Sequence, residues 1–156
     1  MAARRSWEEL RAAAATSPLA ELGRLVCERY GNDFDNWLDK ATSPLPETLR
    51  LNPLRYDVEW TEETLGDLGG QRIGWYPGDG GAMQFPWRRG KPESETTKTL
   101  MQAVHETGRV TRQEAASMLP ILIANPQSGE TLLALCVAPG SKTTQAMVAM
   151  RGGGMV

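Results

Sequence analysis

The stretch LLALCVAPGSKTTQ, Leu132 to Gln145, constrains this chain more than any other. Its apolar run reads as a strand over Thr131–Leu135, Pro139-Gly140 as a tight turn, and Ser141 to Met150 as a helix closed by Arg151 and three glycines. A strand that runs straight into a turn and a helix is the corner at which open α/β sheets hold ligands. The ligand sits beyond the carboxyl end of the strand, against the backbone amides that open the helix. Gly140 lets the backbone approach a ligand with no Cβ in the way, Pro139 stiffens the turn, and Lys142 adds a local positive charge.

Three ligand classes compete for such a corner. A nucleotide-hydrolase phosphate loop needs GxxxxGK followed by Ser or Thr. Here Ser141 separates Gly140 from Lys142, and the upstream glycine is missing. A dinucleotide fingerprint needs three glycines as GxGxxG, and only Gly140 is present. The remaining class is S-adenosyl-L-methionine. An ordinary strand-to-helix turn that holds no ligand stays open as the alternative.

Upstream, the first forty residues read as helical. Ser6 and Glu9 form a capping-box pattern ahead of a helix that Thr16-Ser17-Pro18 breaks. A second helix, ended by Gly31, lines up Leu19, Leu22, Val26 and Tyr30 on one face, and DFDNWLDKA supplies a short third with Phe34, Trp37 and Leu38 together. Thr48 to Leu51 reads as a short strand closed by Asn52-Pro53. The stretch GWYPGDGGAMQFPWRRGKPES, Gly74 to Ser94, is dense in glycine and proline and is expected to be a long surface loop. Thr96 to Glu106 reads as a helix and Gly108 to Val110 as an extended link. Thr111 with Glu114 then gives a second capping box, opening a helix that buries Ala115, Met118 and Leu119 and is ended by Pro120 and, further on, by NPQSGE, Asn125 to Glu130.

Composition narrows the function classes. At 156 residues with 40% hydrophobic and 23% charged content, the chain is long enough to bury a core. A net charge of −2 means that any basic footprint is local. The five tryptophans read first as packing residues. Cys27 and Cys136 stand far apart without CxxC spacing, which argues against a disulfide framework and a cysteine zinc site and fits a reducing compartment. With one histidine, His105, no metal is expected, and no apolar run reaches the roughly 18 residues of a membrane span. MAARRSWEEL carries acids directly after its arginines, so a nuclear or cytoplasmic location is expected ahead of a mitochondrial one.

LCVAPGSKTTQ closely resembles the cofactor motif, DxCAAPGSKT, of the RsmB/NOP family of RNA 5-methylcytosine methyltransferases. Three further segments resemble that family in the same order: LPETLRLNPLR with its Arg-x-Asn pattern, GWYP as in the eukaryotic tRNA-modifying branch, and RVTRQEAASMLPIL. The resemblance implies that Cys136, Val137, Ala138, Pro139, Gly140, Ser141 and Lys142 hold S-adenosyl-L-methionine. It also implies that Arg50, Asn52, Arg112 and Gln113 lie on the surface where the family meets RNA, tRNA above all. For the arginines a solvated or helix-capping role is the alternative. Trp87 to Lys91, with Arg88 and Arg89, is the densest basic patch and suits phosphate contact and base stacking, or simply a solvated loop. Ala134 stands where the family has an acid, and Val137 replaces its first alanine.

The family mechanism requires a cysteine thiolate to add to the cytosine ring and a second cysteine to release the product. Both lie downstream of the cofactor motif in the family, and no cysteine follows Cys136 here. No catalytic residue is therefore expected in this chain. The expected fold class is α/β: an N-terminal α+β region followed by the first strand and helix of a Rossmann-like S-adenosylmethionine-binding domain, truncated. The expected divisions are N-terminal helices over 1–44, an RNA-contacting α+β region with the long loop over 45–108, and the start of the methyltransferase domain over 109–156. The resemblance implies a fragment of an RNA cytosine-5 methyltransferase that is inactive by itself. A non-catalytic RNA-binding or assembly protein is the alternative.

Overall fold

The computed structural model describes residues 6–78 and 81–156, so the N-terminal arginines weighed for an import signal lie outside the described residues. The chain divides into two compact units, 1–44 and 45–156. The first is helical: α1 (Trp7–Ala15), α2 (Pro18–Tyr30) and α3 (Phe34–Thr42). Ser6 and Glu9 close the capping box reciprocally, at 3.1 Å and 2.8 Å. Gly31, in the left-handed region, ends α2, and Asp33 caps α3.

The face of α2 that packs inward is not the expected one. Ala20, Gly23 and Cys27 are buried, whereas Leu19, Leu22, Val26 and Tyr30 are exposed. The reason is close approach to α3. A Cβ on Gly23 would meet the Trp37 ring at 2.8 Å, so only the small-residue face admits the stacked Phe34–Trp37 pair.

The second unit is built on an antiparallel sheet of order β2-β3-β1-β4, formed by β1 (Pro46–Leu51), β2 (Gln71–Arg72), β3 (Ala82–Arg88) and β4 (Val110–Arg112). Strand β1 sits between two partners, pairing Leu49 with Met83 of β3 and with Arg112 of β4. Helices α4 (Val58–Asp67) and α5 (Glu95–Glu106) supply Leu65, Met101 and Val104 to an apolar core with Leu49, Leu51, Met83, Phe85, Trp87 and Val110. Helices α6 (Ala115–Ala124) and α7 (Ser141–Ala149) complete the unit.

Several expectations are corrected. Residues 82–88 are not surface loop but β3, a strand with neighbours on both sides. Met83, Phe85 and Trp87 are buried while Gln84, Pro86 and Arg88 are exposed, the alternation of a half-buried strand. Pro86 is tolerated because the register with β1 shifts between the Arg88 and Gln84 pairings, where a missing N–H breaks no regular ladder. The Thr111–Glu114 capping box does not form. Thr111 and Arg112 pair with β1, and Glu114 itself caps α6 by accepting from the amides of Ala116 and Ser117.

Pro120 does not end α6 but lies inside it, and Asn125 in the left-handed region ends it. The bond lost at Pro120 is the one to the Ala116 carbonyl, on an exposed residue that water can serve. Of the residues expected on the buried side of α6, Met118 is buried, Ala115 is half-buried and Leu119 is exposed.

Nor does Thr131–Leu135 form a strand. Only a parallel bridge from Thr131 to Met155 is made, and Leu133 and Leu135 are 82% and 86% exposed. Beyond that bridge no described segment pairs with it, and a strand without a ladder does not hold.

The Phe85 ring is 1% exposed and lies 4.7 Å from that of Trp87. Phe85→Ala is expected to lower the unfolding free energy by about 3–5 kcal/mol in a urea titration. A loss below about 1 kcal/mol would contradict this core.

Candidate functional site

The segment 136–142 enters α7 as an exposed turn. Residues Cys136 to Pro139 are exposed, and Gly140 takes φ 92° as the N-cap. A Cβ built at Gly140 would meet nothing closer than the Val137 carbonyl oxygen at 3.6 Å, so the strain is in the backbone angle and the space beside it is open. Among the described residues no side chain caps α7, and its first turn carries no acid. Its opening amides and the positive end of its dipole therefore face outward, an arrangement that suits a carboxylate or phosphate. Lys142 does not point into that space alone, because its Nζ donates to Ser117 Oγ on α6 at 2.8 Å.

Behind this turn lies a network of buried polar side chains. Arg50, the next-to-last residue of β1, is 1% exposed. Its Nε donates to Gln113 Oε1 at 3.0 Å, and a terminal nitrogen donates to Thr144 Oγ1 on α7 at 3.2 Å. Gln113 Nε2 donates to Gln145 Oε1 at 2.7 Å and to the Ser117 carbonyl at 3.1 Å. Gln145 Nε2 donates in turn to the Met118 carbonyl at 3.0 Å. The Tyr76 hydroxyl interacts with both Arg50 and Gln145. Burial lowers the Arg50 guanidinium from its ordinary value, with Tyr76 acting against the shift. Burial likewise raises the Tyr76 hydroxyl, with Arg50 and Gln145 opposing it.

The expected RNA-facing residues thus separate. Arg50 and Gln113 are not on the surface, since their polar groups are consumed inside the unit. Asn52 closes β1, donating to the Gly108 carbonyl at 2.9 Å and accepting from the Leu54 amide at 3.1 Å. Arg112 lies 3.6 Å from Glu47, a carboxylate only 1% exposed, whose other oxygen accepts from the Gly90 amide. Arg88 and Arg89, at the end of β3, are exposed. Sequence reasoning missed Tyr76, Thr144 and Gln145. The adjacent polar run after Lys142, on a helix whose Ala146 is buried, was the available signal.

A cleft of about 530 Å³ opens near the far end of α7, lined by Leu51, Tyr76, Ile121, Gln145 and Val148 among others. Among the described residues, no group of three or more His, Cys, Asp or Glu side chains is placed to hold a metal ion. No described helix is long and apolar enough to cross a membrane.

No family model matches the chain. A multisite-specific tRNA (cytosine-C5) methyltransferase of Schizosaccharomyces pombe is 30% identical over 139 residues, covering 76% of this chain and 20% of the relative. A tRNA (cytosine(49)-C(5))-methyltransferase of Pyrococcus abyssi is 26% identical, covering 87% and 42%. A solved methyltransferase homolog from Pyrococcus horikoshii superposes with a TM-score of 0.52 at 26% identity, over 89% of this chain and 47% of that one. The homologues of this chain are RNA cytosine-C5 methyltransferases, and its mixed α/β fold matches part of the solved methyltransferase homolog. The chain spans about a fifth to two fifths of the length of these relatives.

The raised Tyr76 hydroxyl has a consequence for stability. The folded chain holds that proton more tightly than the unfolded one, whose value is near 10. Its contribution is therefore full below about pH 10 and is lost as pH rises through the higher folded value. Between about pH 9 and about pH 11, urea titrations are expected to show a smaller loss of stability in Tyr76→Phe than in the wild type.

Proposed function

We propose that this chain is part of an S-adenosyl-L-methionine-dependent RNA cytosine-5 methyltransferase, with tRNA as its RNA class, and that 136–142 is its cofactor loop. The observation that carries the reading is the coincidence of the family-like sequence CVAPGSK with an open, uncapped helix start. Relatives named as tRNA cytosine-C5 methyltransferases, aligned over most of this chain, support it.

The residues present fit the cofactor at one end. The opening amides of α7 suit its carboxylate, and Gly140 leaves room for close approach. The fit is poorer where the family has an acid, because Ala134 offers no carboxylate to a hydroxyl or ammonium group. When bound, the cofactor supplies an electrophilic methyl group. The chain's own part is to bind and orient. Neither cysteine serves as the nucleophile: Cys27 is buried in the helical unit, and Cys136 belongs to the loop. Arg88 and Arg89 are the residues we assign to the RNA backbone, since both are exposed beside one another at the end of β3.

Isothermal titration of the purified chain with S-adenosyl-L-methionine tests the loop. Saturable binding is expected, tightened by Ala134→Asp and weakened by Gly140→Val, whose backbone angle disfavours a branched side chain. Equal affinity in all three proteins would remove the assignment.

Incubation of the chain alone with tRNA and the cofactor tests the absence of a nucleophile. No 5-methylcytosine above a no-enzyme control is expected, and its appearance would refute that part of the reading.

A further inference from the structure

The geometry points to Arg50, Gln113, Gln145 and Thr144 as positioning residues that hold the first turn of α7, and with it the 136–142 loop, in register with strand β1. The functional side of this inference rests on the cofactor reading above; the positioning itself does not.

Arginine has donors and no acceptor, so Arg50 imposes orientation on whatever it touches. Gln113 must turn its oxygen toward Arg50, which leaves its nitrogen to donate onward to Gln145 and the Ser117 carbonyl. Gln145 must then present its oxygen to Gln113 and its nitrogen to the Met118 carbonyl. Neither amide can flip without setting two donors or two acceptors face to face inside the protein.

Thr144 carries the same logic into the loop. Its hydroxyl accepts from Arg50 and spends its single proton on the Ser141 carbonyl at 3.1 Å, one residue past Gly140. The start of α7 is therefore held from β1 through Thr144, from the segment just after β4 through Gln113 and Gln145, and from α6 through Lys142 and Ser117. Among the described residues, the partners of the guanidinium are Gln113, Thr144 and Tyr76, all neutral at pH 7, so none of them cancels its charge. That charge adds to the positive end of the α7 dipole that the proposed ligand carboxylate would meet.

Amide hydrogen exchange of residues 140–145 and titration with S-adenosyl-L-methionine, both on the full chain, test this. Thr144→Val removes the hydroxyl but keeps the side-chain shape, and Thr144→Ser keeps the hydroxyl. Arg50→Lys shortens the donor, and Arg50→Lys/Thr144→Val closes the cycle. Thr144 is exposed as a residue, so its two variants are expected to fold as the wild type does. Thr144→Val should speed exchange in the first turn of α7 about tenfold and weaken cofactor binding by a similar factor, whereas Thr144→Ser should behave as wild type. The double variant should lose less than the sum of the two single losses, because both single changes cut the Arg50–Thr144 link. Unchanged exchange in Thr144→Val, equal effects of Val and Ser, or simple additivity would overturn the positioning role. If the wild type binds no cofactor, the cofactor reading falls, and the exchange measurement still decides the positioning.

Discussion

A guanidinium buried on the central face of strand β1, that of Arg50, is the constraint around which residues 45–156 are arranged. Moving an ion out of water costs several kcal/mol even after the protein relaxes, so Arg50 is tolerable only where its donors are satisfied. Strand β1 cannot satisfy them from its own backbone. The acceptors come from Gln113, just beyond β4, and from Thr144 on α7. Segments separated by 63 and 94 residues must therefore meet over one face of β1. The opposite face carries Leu49 and Leu51 into the apolar core. Such a strand is buried on both sides for two different reasons, and a single alternation in its sequence, apolar then polar, encodes both.

Much of this was legible locally and little of it globally. Ser6 with Glu9, and Gly31, act within a few residues of themselves, and the helices they bound are where the sequence placed them. Strand β3 was obscured because Pro86 within it and the glycines that flank it, Gly81 and Gly90, advertise a loop. The alternation of Met83, Phe85 and Trp87 that contradicts the loop becomes decisive only beside β1. Thr111 had a good local partner in Glu114, but pairing with β1 outcompeted a helix cap. On α2 the hydrophobic stripe pointed to one face, while the bulk of Trp37 selected the face of small residues. Apolar residues at 132–135 carry strand propensity, but propensity without a ladder partner does not make a strand.

The site divides along the same line. The loop at 136–142 was visible because its residues are contiguous, and contiguous residues can be recognised as a motif. Arg50, Tyr76, Gln113 and Gln145 form one cluster from four separate segments, and each taken singly looks like a surface residue. Polar character alone sends such residues outward. What brings them inward is mutual satisfaction of donors and acceptors, which is a property of the set.

The polar face has a mechanical meaning that an apolar one would lack. Hydrophobic contact is non-directional and roughly proportional to area, so two apolar surfaces can slide by a fraction of a turn at modest cost. Hydrogen bonds near 3 Å weaken steeply with misalignment. A helix carried on Arg50, Gln113 and Gln145 therefore has its rotation and axial position specified together. For α7 those two coordinates decide where Gly140 and the first open amides point. An exposed turn such as 136–139 has little packing of its own to order it. Its geometry must be inherited from the helix it opens, and that helix inherits its geometry from β1.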